Sequence, residues 1–360
     1  MVLRSLYTGH RARVATILAT EWSLQGYHVE ILLLDGAERH YGVPPTVAVH
    51  EAPKHRFGLP APFRGLQEAY WLHTVLRHQS EATILCFDTQ ASLGLLSAGY
   101  GDQLIVCDRD ALITSPGWLA ERLQSLLYPR AKAIVCPSGL SAHLSRIISQ
   151  HNRVAHIPDP VLAWSDAKSL LSRPPVILNT APFERQSLQA VLIDAFNELN
   201  PRDWHLVLHG HGPLAVPLRY RMEGHAQSAR MRLEANHTDR EDIFAEAQIY
   251  VYLSRQDTFP QPLLEAMASG LAVVAYEGLY GASDLIEHNV NGLLVAPGNP
   301  ALLRDTLRAL IGDPGRRHRL GRAAQAVRHT HSLATISQRY LQFVHPHHAH
   351  ETARQHRHFV

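Results

Sequence analysis

Two carboxylates eight positions apart, Asp257 and Glu265, bracket a loop inside Leu253-Ser-Arg-Gln-Asp-Thr-Phe-Pro-Gln-Pro-Leu-Leu-Glu-Ala-Met-Ala-Ser-Gly270. A strand is expected to end near Leu253 and a helix to begin near Pro262, which puts Glu265 in the helix's first turn. Carboxylates accept paired hydrogen bonds, as vicinal sugar hydroxyls require. Free loop amides and a helix N-terminus would add a site for hydroxyls or an anionic group. On spacing alone a plainer reading stands equal: Glu265 complements the helix dipole and Asp257 makes a turn.

The surrounding elements decide what such a loop can face. In the first half, Val14 to Gln25 has helical spacing and His28 to Leu34 reads as a buried strand. Further strands are expected over Ala82–Phe87, Gln103–Cys107, Ala133–Cys136 and Val154–Ile157. Ser115 and Pro116 cap and open a helix running to Tyr128. The proline-rich stretch Asp159–Pro175 reads as an interdomain linker. Alternation then restarts, with strands Val176–Thr180, His205–His209, Met231–Leu233, Ile249–Leu253 and Ala272–Tyr276. The helices expected between and after them are Leu188–Leu199, Glu241–Ala247, Leu263–Ser269, Pro300–Ile311 and Pro314–Arg328. Strand–helix alternation in both halves predicts two doubly wound parallel sheets, an α/β architecture that binds ligands in a central cleft at the carboxyl ends of its strands. The expected division is residues 1–162, 163–335 and a C-terminal helix with a His-rich tail over 336–360.

Composition narrows the partners. The chain has 360 residues, 18% charged and 46% hydrophobic, with a formal net charge of +2. Two cores fit that length better than one, and the charge gives no reason to expect nucleic acid. Three cysteines, Cys86, Cys107 and Cys136, all in expected strands, make no disulfide framework and suggest a reducing, cytoplasmic setting. No apolar run approaches the ~18 residues of a membrane span, and the N-terminus reads as no secretory signal. Only three of the 34 Lys and Arg residues are lysines, the last of them Lys168. No G-x-G-x-x-G after a strand, P-loop, serine elbow or zinc spacing is present. The histidines from His345 to His358 form a surface tail or an adventitious metal binder.

Taken together, the loop-helix segment, Gly270, the following Leu271–Ala275 strand and Asn291-Gly-Leu-Leu-Val-Ala-Pro-Gly298 resemble the retaining, nucleotide-sugar-dependent glycosyltransferases of family four, group 1, which have the GT-B fold of two Rossmann-like domains. His209-Gly-His-Gly-Pro-Leu214, Ile157-Pro-Asp-Pro-Val161 and Asp313-Pro-Gly-Arg-Arg-His-Arg-Leu-Gly321 are similar to further blocks of that family. The resemblance covers nearly the whole chain and is strongest from Trp204 to Arg328. It implies catalytic positions at Asp257, Glu265 and Arg109, with Glu265 on the nucleotide ribose and Asp257, an aspartate where the family has glutamate, beside the donor sugar. Donor binding is implied for Gly210, Gly212, Phe259, Pro260, Gln261, Leu264 and Glu265, while Arg185, Arg255 and Arg11 read equally as cations for the donor phosphates or as solvated surface charges. Gly9, Arg11, Asp108 and Arg109 are implied on the acceptor side. For Arg109 and Asp108 a surface ion pair is the rival reading; for Gly210 and Gly212 it is an ordinary glycine turn.

The resemblance also implies metal-independent chemistry without a cofactor, a UDP-sugar as co-substrate, a glycan or lipid-linked acceptor, and a role in surface polysaccharide synthesis at the inner membrane face. Arg122, Arg130 and Lys132 beside Trp118 and Leu119 read either as a peripheral contact with anionic lipid or as a solvated helix face. Two departures matter. Pro182 and Ser187 stand where the family carries the arginine and lysine that neutralise the donor diphosphate. The first strand, before Thr8-Gly-His-Arg-Ala-Arg-Val14, is short or missing, and that stretch lacks the usual glycine pair. These departures motivate a rival function, a non-catalytic GT-B protein that binds a glycan, a nucleotide or a partner enzyme. A sugar-nucleotide epimerase is a third reading.

Overall fold

The computed structural model describes residues 1–6, 10–35, 41–53, 64–79, 81–109, 118–161, 169–235, 240–254, 259–278 and 281–344. The chain divides into two compact units, the first Met1–Pro160 with Leu333–Val360, the second Val161–Ser332.

In the first unit the elements run β1 (Val2–Leu3), α1 (His10–Leu24), β2 (Glu30–Leu33), β3 (Ala48–Glu51), α2 (Arg64–Leu76), β4 (Ile84–Cys86), α3 (Thr89–Ser97), β5 (Leu104–Cys107), α4 (Trp118–Leu127), β6 (Ala133–Cys136), α5 (Gly139–Ser149) and β7 (Val154–His156). All seven strands are parallel, in the order β3-β2-β1-β4-β5-β6-β7. The sheet is apolar on both sides. Ile105, Cys107 and Val135 face one core with Leu18 and Trp22, while Leu104, Val106 and Cys136 face the other with Leu72 and Tyr128. Burial on both faces is what a parallel sheet wrapped by helices requires. The expected short first strand is present as the two residues Val2 and Leu3, and β3, with no alternating pattern in its AVHE sequence, joins as an edge.

The second unit follows as β8 (Val176–Thr180), α6 (Gln189–Leu199), β9 (His205–His209), α7 (Ala215–Glu223), β10 (Met231–Glu234), α8 (Arg240–Ala245), β11 (Ile249–Tyr252), α9 (Gln261–Ala268), β12 (Ala272–Tyr276), α10 (Ala282–Leu285), β13 (Leu293–Val295), α11 (Pro300–Gly312), α12 (Pro314–Ala324) and α13 (Val327–Thr330). Its six parallel strands are ordered β10-β9-β8-β11-β12-β13. Along β11, Ile249 and Val251 enter one core and Tyr250 and Tyr252 the other, the period-two alternation of a strand buried on both sides. The order reverses between β8 and β11, the switch point at which open sheets of this kind bind ligands.

The last helix, α14 (Leu333–Val344), belongs to the first unit. Ile336 and Tyr340 join the core around α1, and Trp22 Nε1 donates to Ser337 Oγ at 2.8 Å. Among the described residues no helix is long and apolar enough to cross a membrane.

Candidate functional site

In the second unit the segments after β8 and β9 and the start of α9 stand at the carboxyl edge of the sheet. After β9 the chain turns through Gly210 and Gly212. A Cβ on Gly210 would stand 2.2 Å from the Ala181 carbonyl oxygen, and one on Gly212, whose φ is +148°, 2.7 Å from that of Phe183. Neither position admits a side chain without moving backbone. The loop after β8 is thereby sewn to this turn: Phe183 N donates to His211 O at 2.9 Å and Leu214 N to Phe183 O at 3.0 Å. Packing against Phe183 accounts for both glycines, and it also brings bare backbone to the strand end.

Glu265 lies on α9 with 1% of its surface exposed. The helix begins at Gln261, one residue earlier than Pro262 suggests, so Glu265 sits in the second turn and not the first. That removes the helix-dipole explanation, which acts within the first turn. Gln261 Nε2 donates to Glu265 Oε1 at 3.4 Å. Phe259, Leu263 and Leu264 pack into the core below, and Pro260 is buried beside them. Leu264, expected to touch the donor, is therefore a core residue.

The helix N-terminus is not the anion site that the sequence suggests. Pro260 and Pro262 have no N–H. Gln261 N donates to Phe259 O at 3.1 Å, and Leu263 N and Leu264 N donate to Pro260 O at 3.0 and 3.1 Å. The first turn thus keeps its amides for itself. Gly281, which sequence reasoning passed over, closes the loop from the other side. Its φ is +66°, and a Cβ there would meet Pro260 Cδ at 2.3 Å. The visible signal was a glycine opening the short helix Ala-Ser-Asp-Leu.

Of the expected phosphate cations, Arg185 is an exposed residue of a 3-10 turn, Arg185–Ser187. Arg255, Asp257 and, on the acceptor side, Gly9 lie outside the described residues, as do Ser115, Pro116 and the His-rich tail. Other arginines of the second unit cap helix carboxyl ends. Arg173 donates to Phe244 O and Ser269 O at 3.1 and 2.7 Å, Arg317 to Ile311 O at 2.9 Å and Arg328 to Ala268 O at 2.7 Å. His209, also missed, is buried at the end of β9, with Nε2 3.4 Å from Glu234 Oε2.

In the first unit the corresponding edge carries charge. Arg4, after β1, bonds Asp88 through Nε and Nη2 at 3.0 and 3.1 Å and Glu68 through Nη1 at 3.2 Å. Burial opposes its charge, but the bonds and charges of Asp88 and Glu68 outweigh that and raise its pKa. Asp88 also caps α3, accepting from Ala91 N. Arg11 is pushed down by burial, against Asp88 and Asp108.

Asp108 and Arg109, expected to face an acceptor or to pair at the surface, are both buried, and Arg109 finds its ion-pair partner in the interior. Arg109 is 6% exposed and forms an ion pair with Asp159, its guanidinium 5.5 Å from the Phe87 ring centroid. A long cationic stem in an apolar sheet edge reaches a carboxylate that lets it stay charged. Asp108 is 4% exposed and accepts from Ser145 Oγ at 3.3 Å. Burial pushes its pKa up to about 7, with the Ser145 bond and the Arg11 charge opposing.

A carboxyl group whose folded pKa lies above its unfolded one, ~3.9, favours folding below the unfolded value and loses that contribution as pH rises through the folded value. Stability should therefore fall between about pH 4 and about pH 7 on account of Asp108. Asp108→Asn should flatten that segment of the stability–pH curve, measured by urea unfolding at several pH values; an unchanged slope would reject the assignment.

The three buried cysteines lie on β4, β5 and β6, and burial pushes Cys86 and Cys136 up to about 12, so their thiols are unreactive. Among the described residues no group of three or more His, Cys, Asp or Glu could hold a metal ion.

Residues 163–327 match the family Glycosyl transferases group 1. The chain is 32% identical over 111 residues to an exopolysaccharide phosphotransferase of Streptomyces coelicolor, covering 31% of this chain and 12% of that protein. It is 26% identical over 239 residues to a D-inositol 3-phosphate glycosyltransferase of Xylanimonas cellulosilytica, covering 63% of this chain and 54% of that one. The chain thus spans about half of the second relative and a small part of the first. Among solved structures, HepE of Anabaena in complex with UDP superposes with a TM-score of 0.76 at 18% identity over 95% of this chain and 97% of that one. The sequence match to the group 1 glycosyl transferases thus lies within the second unit, over residues 163–327, while the fold across nearly the whole chain is the GT-B fold of the solved structures.

Proposed function

We propose that the protein is a retaining glycosyltransferase that moves a sugar from a nucleoside-diphosphate sugar, a UDP-sugar, to a glycan or lipid-linked acceptor in surface polysaccharide synthesis. The observation that carries this reading is Glu265, a carboxylate buried on α9 just behind the carboxyl edge at the switch point, where only a bound polyol or a core partner justifies the desolvation. In this reading Glu265 accepts from the ribose hydroxyls, and the bare backbone at Gly210 and Gly212 admits the nucleotide. Asp257 stands by the sugar with Arg255 near the phosphates, and the first unit takes the acceptor through Arg11 and the edge bearing Arg4 and Asp88. The chemistry runs without a metal, the leaving phosphate receiving the acceptor proton. The protein works at the cytoplasmic face of the membrane. HepE of Anabaena was solved in complex with UDP, which supports the choice of nucleotide.

One observation favours a second reading, a GT-B protein that binds without transfer. The first turn of α9 offers no amide to a ligand, and Pro182 and Ser187 supply no charge. The two are separated by thermal-shift titration with UDP, GDP and their sugars, followed by a transfer assay. A binding partner of the native state raises its melting temperature, by RT ln(1 + [L]/Kd) in free energy. We expect a shift with UDP and its sugars together with release of UDP when acceptor is added. A shift without release supports the binding protein, and no shift with any nucleotide sinks both donor readings.

A further inference from the structure

We propose that His209, held by Glu234, receives the phosphate end of the donor nucleotide and supplies the positive charge that Pro182 and Ser187 do not. The proposal rests on the donor-site reading above and adds a residue to it.

Three observations carry it. First, the second unit has no lysine beyond Lys168, and several of its described arginines are held by partners within the fold. Arg173, Arg317 and Arg328 cap helix ends, Arg221 pairs with Asp194, and Arg304 bonds Glu198 and Asp305. Second, His209 is the only buried histidine among the described residues, and it stands where β9 ends and the Gly210–Gly212 turn begins. Its register partner on β8 is Thr180, the last residue before the loop that carries Pro182. Third, the ring is oriented and incomplete. Nε2 points to Glu234 Oε2 at 3.4 Å, and Nδ1 has no hydrogen-bond partner among the described residues. A buried ring nitrogen without a partner is costly to maintain.

The chemistry follows from the surroundings. Burial holds the His209 pKa below its ordinary value, while the charges of Glu234 on β10 and Glu246 just after α8 pull it up. From β8 the registered neighbour is the neutral Thr180, whose hydroxyl meets Tyr250 of β11 at 3.1 Å. In the free protein burial favours the neutral ring, with Nε2 facing Glu234 Oε2. An arriving diphosphate tips the balance: the ring takes one proton from solvent, Nδ1–H donates to a phosphate oxygen, and Nε2–H stays on Glu234. Binding is then coupled to proton uptake.

The test is calorimetric titration of the full chain with UDP and with uridine between pH 6 and pH 8, in two buffers of different ionisation heat. Wild type should take up more protons with UDP than the ligand's own titration explains, and bind more tightly at the lower pH. His209→Gln should lose that excess and weaken UDP by about ten- to a hundredfold, the scale of one charged hydrogen bond. Uridine affinity should stay unchanged. Glu234→Gln, a change at a half-exposed carboxylate, should weaken UDP less and reduce the uptake. If His209→Gln does not fold, Glu234→Gln carries the test. Wild-type UDP binding with both variants equal to it, or an equal loss for uridine, overturns the proposal and leaves the donor site standing. Absence of wild-type binding to any nucleoside diphosphate removes the donor-site reading and this proposal with it.

Discussion

Arg109→Ala should destabilise the first unit by about 3–5 kcal/mol, because it strands the Asp159 carboxylate in the interior. Arg109 and Asp159 come from the end of β5 and the last residues of the unit's main segment, and both are all but inaccessible to solvent. The charge is felt by Tyr340 of α14 as well, and the guanidinium outweighs its own burial through Asp159 and Tyr340, in that order. One side chain therefore ties the sheet, the chain's exit from the unit and its returning helix. Asp159→Ala should cost a similar amount. The pair Arg109→Met with Asp159→Leu should recover most of it, since two apolar groups of similar volume need no desolvation. Urea unfolding of the three variants checks this. A single-variant loss under about 1 kcal/mol, the value typical of exposed pairs, would show that the ion pair is not buried in solution.

Glu265→Gln should leave folding nearly intact and weaken nucleotide binding by about ten- to a hundredfold, the worth of a charged hydrogen bond or two. The amide keeps the shape of the carboxyl group and can turn its oxygen to Gln261 Nε2, which now meets Glu265 Oε1 at 3.4 Å. What is lost is the second lone-pair face and the charge toward a ribose diol. Glu265→Ala would combine that loss with a cavity in a fully packed helix face, so the glutamine variant is the cleaner probe. Calorimetry with UDP reads the affinity and thermal unfolding reads the fold. UDP affinity within twofold of wild type would remove Glu265 from the donor site.

How legible these features are in the sequence depends on how local their causes are. Val176–Thr180, His205–His209 and Ala272–Tyr276 appear in the structure with the boundaries read from sequence, because each is an apolar run buried on both faces and cut by turn residues. Val2–Leu3 and Ala48–Glu51 are strands by virtue of their neighbours, and two residues or a half-exposed AVHE hold no period to detect. Helix α7 was hidden by Pro217, which its first turn tolerates because no intrahelical N–H is lost there. The start of α9 was misplaced by one residue because Pro262 occupies its second position, and that shift changes what Glu265 can be doing. Glu265 itself was visible through its motif. The partnership of Arg109 with Asp159, fifty residues downstream, and of His209 with Glu234 arises only when strands align, and no spacing rule announces either.

The return of α14 to the first unit has a consequence for synthesis on the ribosome. Trp22 and Ser337, joined by a hydrogen bond, are separated by 315 positions. The whole second unit emerges and can close its own core while Leu18, Trp22 and the rest of that α1 face still wait for the last helix. Closing so long a loop by diffusion carries an entropic cost that grows only with the logarithm of its length, and a folded insert shortens the effective span further. Order of translation and order of assembly are thus opposed: the α1 face of the unit that begins the chain can be covered by α14 only after the second unit has been made.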